Sequence, residues 1–295
     1  MSSGPACVLC GAPLRRVLFE VGPDRYLACR ACGLVQVNPL RVPEDLGEDY
    51  EGFDLESYAK FMLEFRRPQY ERDLALLRGR TAVGGRLLDI GCGMGEFLDV
   101  AAAAGFRTFG VEPSRRASEI AGRRHPVVRG ELGRVRLDEG GFAVATLWSV
   151  LEHVPAPAAV LAEVRGLLAP GGLVALRLPD IRGLLPRLSL AAWRLTLGRV
   201  DMPLRVLYQL DWHYTHLYGF ERRTIVRLLE DNGFAVEAVR SEPSFDLKTL
   251  DRRMDYIPVR GPARLGAKIA LAAILAAASL ARRQDELVLV ARKGG

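Results

Sequence analysis

The sequence predicts an α/β fold organised on a parallel sheet, preceded by a small cysteine-paired module. Three observations predict it. Residues Arg86 to Glu112, RLLDIGCGMGEFLDVAAAAGFRTFGVE, read as strand, glycine turn, helix and strand. A second apolar run, FAVATLW from Phe142 to Trp148, is followed by a helical pattern over 158–168 and then by LVALRL. Alternation of this kind builds parallel sheets with helices on their faces. Four of the five cysteines stand in two Cys-x-x-Cys pairs near the start of the chain.

In the first unit, Leu87, Leu88 and Ile90 flank Asp89 in a short apolar run, as a strand buried on both faces requires. Gly91, Gly93 and Gly95 follow. Phe97, Leu98, Ala101 and Ala104 then recur at helical spacing until Gly105. Phe106 to Val111 forms the second strand, with Glu112 at its tip. Glycines there let a ligand approach the backbone, and a carboxylate about 20 residues on can accept hydrogen bonds from ribose hydroxyls. The spacing is G-x-G-x-G, not the G-x-G-x-x-G of pyrophosphate turns, and Asp89 stands at the mouth of the loop. A carboxylate there repels a pyrophosphate and suits a cation.

The DIGCGMG stretch resembles the first motif of the class I S-adenosylmethionine (SAM)-dependent methyltransferases, D-x-G-x-G-x-G. The resemblance implies a seven-stranded Rossmann-like methyltransferase sheet and SAM as cofactor. It further implies that Asp89, Gly91, Cys92, Gly93 and Gly95 line the cofactor, with Glu112 and Pro113 at the ribose. Glu131, within Gly130-Glu131-Leu132, falls where relatives contact the adenine, and Trp148 completes the cofactor set. The Cys92 side chain, between two glycines, reads as a packing group rather than a nucleophile.

WSVLEHVPAP resembles the fourth-strand motif of small-molecule methyltransferases, with two departures. Ala143 replaces an aspartate, and Ser149 replaces the acidic residue before VLEH. In the ubiquinone-pathway O-methyltransferases an acid at the position of Ser149 joins those at Glu152 and His153 around a divalent ion. Serine removes a hard oxygen ligand and argues against a catalytic metal. His153 is then either a catalytic group or a histidine bonded within its loop.

At the N-terminus, Cys7-x-x-Cys10 and Cys29-x-x-Cys32 are separated by 18 residues. That spacing fits a structural zinc ribbon, each knuckle supplying two soft donors. LRRVLFE and RYLAC flank Val21-Gly22-Pro23-Asp24 as a hairpin. The zinc is expected to be structural and separate from SAM binding. A CxxCG–CxxCGL ribbon before such a domain resembles bacterial enzymes of glycan, sugar-nucleotide or secondary-metabolite pathways.

The 295 residues carry a net charge of +6, with nearly half the residues hydrophobic. A chain of that length and composition can bury one α/β core and a small appendage. No basic–apolar–small leader opens the sequence, so the expected location is cytoplasmic. The expected organisation is a ribbon over 1–40, a linker and two leading helices broken near Pro68 over 41–80, and the methyltransferase domain over 81–295. Ribbon and linker are not sharply divided, since 34–48 reads as linker. Tyr50 and Tyr58 resemble aromatics near the cofactor in relatives, with core packing as the equal alternative. Ser114 is the expected N-cap of a helix ending near Arg124.

Residues 180–218 are a lid insertion with Trp193, Tyr208, Trp212, Tyr214 and Tyr218, which suit an apolar or sugar ring or plain packing. His213 and His216 close it. His216 is the favoured general base because HLYGF resembles the family's H-x-x-x-F element, and His153 is the next candidate. A base of this type is expected to titrate near pH 6–7. The alternative is that His216 only braces the lid. A helical insertion over 244–284 contains an uncharged run from Ile269 to Ala281, too short to span a bilayer. A helix packed on the domain is the leading reading of 264–283, and an interfacial helix at a membrane the other. FAVEAV and ELVLVARK are expected to pair as an antiparallel hairpin.

The expected function is methyl transfer from SAM to oxygen or carbon of a small-molecule, sugar or glycolipid-type acceptor. An RNA methyltransferase is the first rival, disfavoured because WSVLEHV stands where base amino-methylators carry [ND]-P-P-[YF] and the sequence has no dense basic patch with interleaved aromatics. A non-catalytic SAM-binding scaffold is the second.

Overall fold

The computed structural model describes residues 4–40, 55–81, 84–137, 141–210, 215–244, 250 and 259–295, and only the backbone of 55–62 and 65. Tyr50, Trp212, His213 and Tyr214 lie outside the described residues, as does the Tyr58 side chain.

Seven strands form one sheet: β4 (Arg86–Ile90), β5 (Arg107–Glu112), β6 (Val127–Arg129), β7 (Phe142–Trp148), β8 (Leu168–Pro179), β10 (Phe234–Glu242) and β11 (Glu286–Lys293). Their order is β10-β11-β8-β7-β4-β5-β6. The last five are parallel, and β11 runs antiparallel between β8 and β10. The predicted hairpin and seven-stranded sheet are both present. Leu87, Leu88, Ile90, Val144, Leu147, Val174 and Leu176 are all buried because helices cover both faces. On one face lie α1 (Leu55–Arg78) and α2 (Glu96–Ala103). On the other lie α4 (Pro157–Leu167) and α7 (Arg222–Asp231). At the β5 exit, α3 (Arg115–Gly122) starts on Ser114, whose Oγ accepts the Ala117 N–H.

Three expectations change. The leading segment is one helix, α1, running through Pro68. Proline there removes a single amide donor, while Tyr70, Leu74 and Leu77 pack beyond it and hold the helix together. The 34–48 segment is not all linker: Val35–Asn38 is strand β3, paired with β2 (Asp24–Ala28), itself paired with β1 (Arg16–Val21). Nor does the ribbon end with the N-terminal residues. Tyr218–Gly219 forms β9, which joins β3 as the fourth strand of the ribbon sheet.

The lid contains α5 (Leu184–Leu195) and α6 (Met202–Leu207). Its aromatics pack on the ribbon. Phe19 stacks on Tyr26 at 4.6 Å, Tyr208 lies 4.9 Å from Phe19 and 4.6 Å from Tyr26, and Trp193 lies 6.4 Å from Phe19. The helical insertion forms α8 (Pro262–Leu280), set beside α5.

Candidate active site

Chain order reverses between β4 and β7: β4 leads outward to β5 and β6, while β7 leads the other way to β8. A crevice opens at the carboxyl ends of strands at such a switch point, and ligands bind in it. The glycine loop leaves β4 there. Gly91, Gly93 and Gly95 have φ of 68°, 55° and 88°. A β-carbon on Gly91 would come within 2.8 Å of Val150, so glycine lets the loop close on the turn after β7. Ser149 in that turn takes φ 57°, an uncommon conformation for serine.

Asp89 is buried and accepts a 2.6 Å hydrogen bond from Thr146 Oγ1. Burial, aided by the Glu96 and Glu112 carboxylates, pushes its pKa up to about 8. Glu112 accepts the Gly93 N–H at 2.8 Å on one oxygen and the Ser114 N–H at 2.9 Å on the other. Burial pushes its pKa up to about 7. Glu96, at the first position of α2, is buried beside them and shifted up by that burial. Three buried carboxylates around one loop suit a ligand of positive charge.

Trp148 ends β7 with its ring 5.1 Å from Phe97, edge-on. Its buried Nε1 has no hydrogen-bond partner. Such an orphaned donor at a crevice fits a site completed by a ligand acceptor. The Cys92 thiol turns away from the crevice, into the space that Gly110 leaves open, so only the Cys92 main chain borders the loop. Pro113 follows Glu112 half-buried. The Gly130 N–H donates to the Glu112 carbonyl, which brings the 130–132 turn to the tip of β5, while the Glu131 carboxylate pairs with Arg134.

A second cluster sits beyond β7. His153 and His216 rings are 4.8 Å apart and nearly perpendicular. One donor atom from each, and one from Glu152, lie within 4.8 Å of one another. His153 Nδ1 is 3.2 Å from the Thr215 carbonyl, which can only accept, so that nitrogen carries the proton and Nε2 a lone pair. Glu152 is 1% exposed, and neither of its carboxylate oxygens has a partner. Burial pushes its pKa up to about 8. Burial also pushes His153 down to about 4 and His216 well below its ordinary value, the latter helped by His153. A base titrating near pH 6–7 is therefore not what the structure presents, because desolvation keeps both imidazoles neutral. His216 is held from the ribbon and the lid: Tyr26 Oη donates to its carbonyl at 2.7 Å, and its own N–H donates to the Tyr208 carbonyl at 3.0 Å.

The four N-terminal cysteines converge, with Cys7 and Cys32 Sγ 3.6 Å apart and Cys10 and Cys29 Sγ 3.5 Å apart. These separations exceed any disulfide. They match the edges, about 3.8 Å, of a tetrahedron with zinc–sulfur bonds of about 2.3 Å. The Gly11 N–H donates to the Cys7 carbonyl and the Gly33 N–H to the Cys29 carbonyl, closing both knuckles. The cluster fits a small zinc-binding region.

Between the ribbon and α5 lies a cleft of about 850 Å³. Its wall carries Arg16, Arg30, Arg182, Arg187, Arg194 and Arg223 against one acid, Glu221, which already pairs with Arg182 and Arg223. Tyr208 lines it, and the Tyr208 ring is 6.3 Å from His216.

Residues 62–239, well over half the chain, match a family model described as a methyltransferase domain, and the chain belongs to that family. The fold and the family together make it a class I SAM-dependent methyltransferase. Among curated relatives, it is 34% identical over 169 residues to an uncharacterized 37.1 kDa protein in transposon Tn4556 of Streptomyces fradiae, covering 53% of this chain and 45% of that one. It is 35% identical over 117 residues to the ubiquinone biosynthesis O-methyltransferase of Nitrosococcus oceani, covering 37% and 47%. The matches span about half the length of these relatives. Among solved structures, geranyl diphosphate C-methyltransferase from Streptomyces coelicolor A3(2) superposes with a TM-score of 0.53 at 15% identity over 77% of each chain, a likeness of fold.

Sequence reasoning passed over Thr146, Glu96 and Tyr26. Thr146 had a signal, a lone hydroxyl inside the apolar run FAVATLW. Tyr26 had none, since its partner is 190 residues away.

Proposed function

We propose that this enzyme transfers the SAM methyl group to oxygen or carbon of a small-molecule, sugar or glycolipid-type acceptor, with His216 as the group that takes the acceptor's proton. The reading is carried by the pair of half-buried His153 and buried His216 standing beyond β7, at the same switch point as the acidic glycine loop. SAM supplies an electrophilic methyl group and its own leaving group, so the protein's work is alignment and proton removal. Asp89 and the main chain at Gly91, Cys92, Gly93 and Gly95 border the methionine end. Glu112, with Pro113, faces the ribose, and its second lone pairs stay open to hydroxyls. Glu131 flanks the adenine side, and Trp148 offers its free Nε1. His153, locked by Thr215, orients His216. Cys7, Cys10, Cys29 and Cys32 hold one structural zinc. The arginine-walled cleft supports an acceptor that carries negative charge.

Replacing His216 by Ala should lower turnover about a hundredfold or more with SAM affinity preserved. Because burial depresses the imidazoles, the wild-type rate should show no limb between about pH 6 and 7. Near-normal turnover of His216→Gln with a competent acceptor would transfer the role to His153. A second reading, favoured by the unpartnered Glu152 carboxylate, is that Glu152, His153 and His216 hold a divalent cation. Turnover that requires added magnesium or manganese, with the ribbon zinc retained, would favour it.

A further inference from the structure

Helix α8 is apolar on its outward side as well as on its inward one. A helix packed on a globular domain turns its apolar stripe inward and its polar face to water. In α8 only Leu275 and Ala278 are buried. Its outward side runs through Leu265, Ile269, Ala273, Ala276 and Leu280, three or four residues apart and without a charge. Leu265, Ile269 and Leu280 are 63%, 61% and 87% exposed. Nor is α8 alone. It lies beside α5, where the Leu184 N–H donates to the Arg283 carbonyl just past its end. On α5 and the turn after it, Leu195 and Leu197 are 86% and 89% exposed. Thirteen large hydrophobic side chains are exposed among the described residues, and nine of them lie on α5, α6, the turn between them and α8. Single exposed leucines need no explanation, but a cluster of this kind marks an interaction surface.

The charges around the patch identify its occupant. Residues 181–200 and 259–283 together carry nine arginines and lysines and no aspartate or glutamate. Of the acids that border these stretches, Asp180 and Asp285 are buried and Asp201 is paired with Arg205. A second copy docking face to face would set those cations against their own kind. Anionic lipid headgroups meet them with opposite charge while the leucines enter the acyl boundary. We propose that α5 and α8 form a docking face for a membrane bearing anionic phospholipids, with both helices lying in the plane of its surface.

Length alone would let α8 cross a bilayer: it has 19 residues, and its composition is apolar enough. The sheet argues otherwise. Ser241 pairs with Leu287 and Glu242 with Glu286, so the chain leaves and re-enters the sheet at one place. A single span would put the two ends of α8 on opposite sides of the membrane, with only Ala281 to Asp285 to return. Extended backbone in the hydrocarbon core has no hydrogen-bond partners. The helix therefore lies on the membrane. The inference does not depend on the acceptor, although docking would set the arginine-walled cleft beside α5 close to the headgroups.

The full chain should be tested by co-sedimentation with phosphatidylcholine vesicles and with vesicles that also contain phosphatidylglycerol. Partitioning into the anionic vesicles should be at least about tenfold stronger, and should weaken as salt is added. The triple variant Leu265→Glu, Ile269→Glu, Leu280→Glu should lose binding about tenfold or more. SAM affinity and the thermal midpoint check that it folds, since all three side chains are exposed. Arg282→Gln with Arg283→Gln should weaken only the anionic preference. Wild type remaining in the supernatant with both vesicles would overturn the proposal. So would a folded triple variant that binds as well as wild type. A dimer in light scattering, dissolved by the triple variant and without vesicle binding, would assign the face to a second copy instead.

Discussion

Asp89 and Glu112 bind their protons more tightly in the folded chain than in the unfolded one. Their folded pKa values, about 8 and about 7, lie above the ordinary 3.8 and 4.5. A raised carboxyl pKa means stability present at low pH and lost as pH climbs to the folded value. His153 and His216 act in the opposite sense, but only below their ordinary pKa of 6.5. Between about pH 6.5 and 8 the histidines no longer contribute, and the carboxyls, Glu152 among them, do. The thermal midpoint of SAM-free protein should therefore fall across that window in scanning calorimetry, and Asp89→Asn should flatten the fall. A midpoint that stays level would contradict the shifts. Glu112→Gln should weaken SAM about tenfold or more, since bonds to a charged acceptor contribute roughly 1.5–3 kcal/mol; titration calorimetry reads this directly. The places of Asp89, the glycines and Glu112 at a strand end, a turn and a strand tip were legible in the sequence because the spacing itself sets those elements. The titration of His216 was not legible, because burial comes from Tyr26, Tyr208 and His153, which no local pattern brings together.

Among elements, the apolar runs announced β4, β7 and β8, and the caps announced α3. Arg177 was hidden. It lies within LVALRLP on β8, where a charged residue ordinarily signals an exposed edge, yet it is 1% exposed. Asp73 of α1 accepts three hydrogen bonds from it at 2.7, 2.9 and 3.2 Å, and Glu242 of β10 and Glu286 of β11 accept others. Its partners come from three separate elements, so nothing near position 177 foretells them. Replacing Arg177 by Met should destabilise the protein by about 3–5 kcal/mol, because buried carboxylates lose their cation. Chemical denaturation would show it. A loss below about 1 kcal/mol would mean that water reaches the cluster. Pro68 gave the reverse error: a local breaker outvoted by the packing on either side of it.

In the molecule as a whole, the ribbon is built into the end of the lid rather than appended to the domain. It was legible as four cysteines, but its fourth strand follows directly on His216 and Leu217 in the lid. Stripping the proposed zinc, or Cys29→Ser, should therefore raise the acceptor KM or lower kcat while SAM affinity holds. Tyr26→Phe should reproduce part of that effect with the metal in place. Unchanged kinetics in both would leave the ribbon a passive attachment. The pairing of β3 with β9 also bears on biosynthesis. The first three ribbon strands leave the ribosome long before Tyr218, so β3 waits with an unpaired edge while the whole parallel sheet is made. Early metal capture would keep that edge short and rigid during the wait. Cells starved of zinc should then lose this enzyme to aggregation during synthesis, even where the finished protein tolerates loss of the metal.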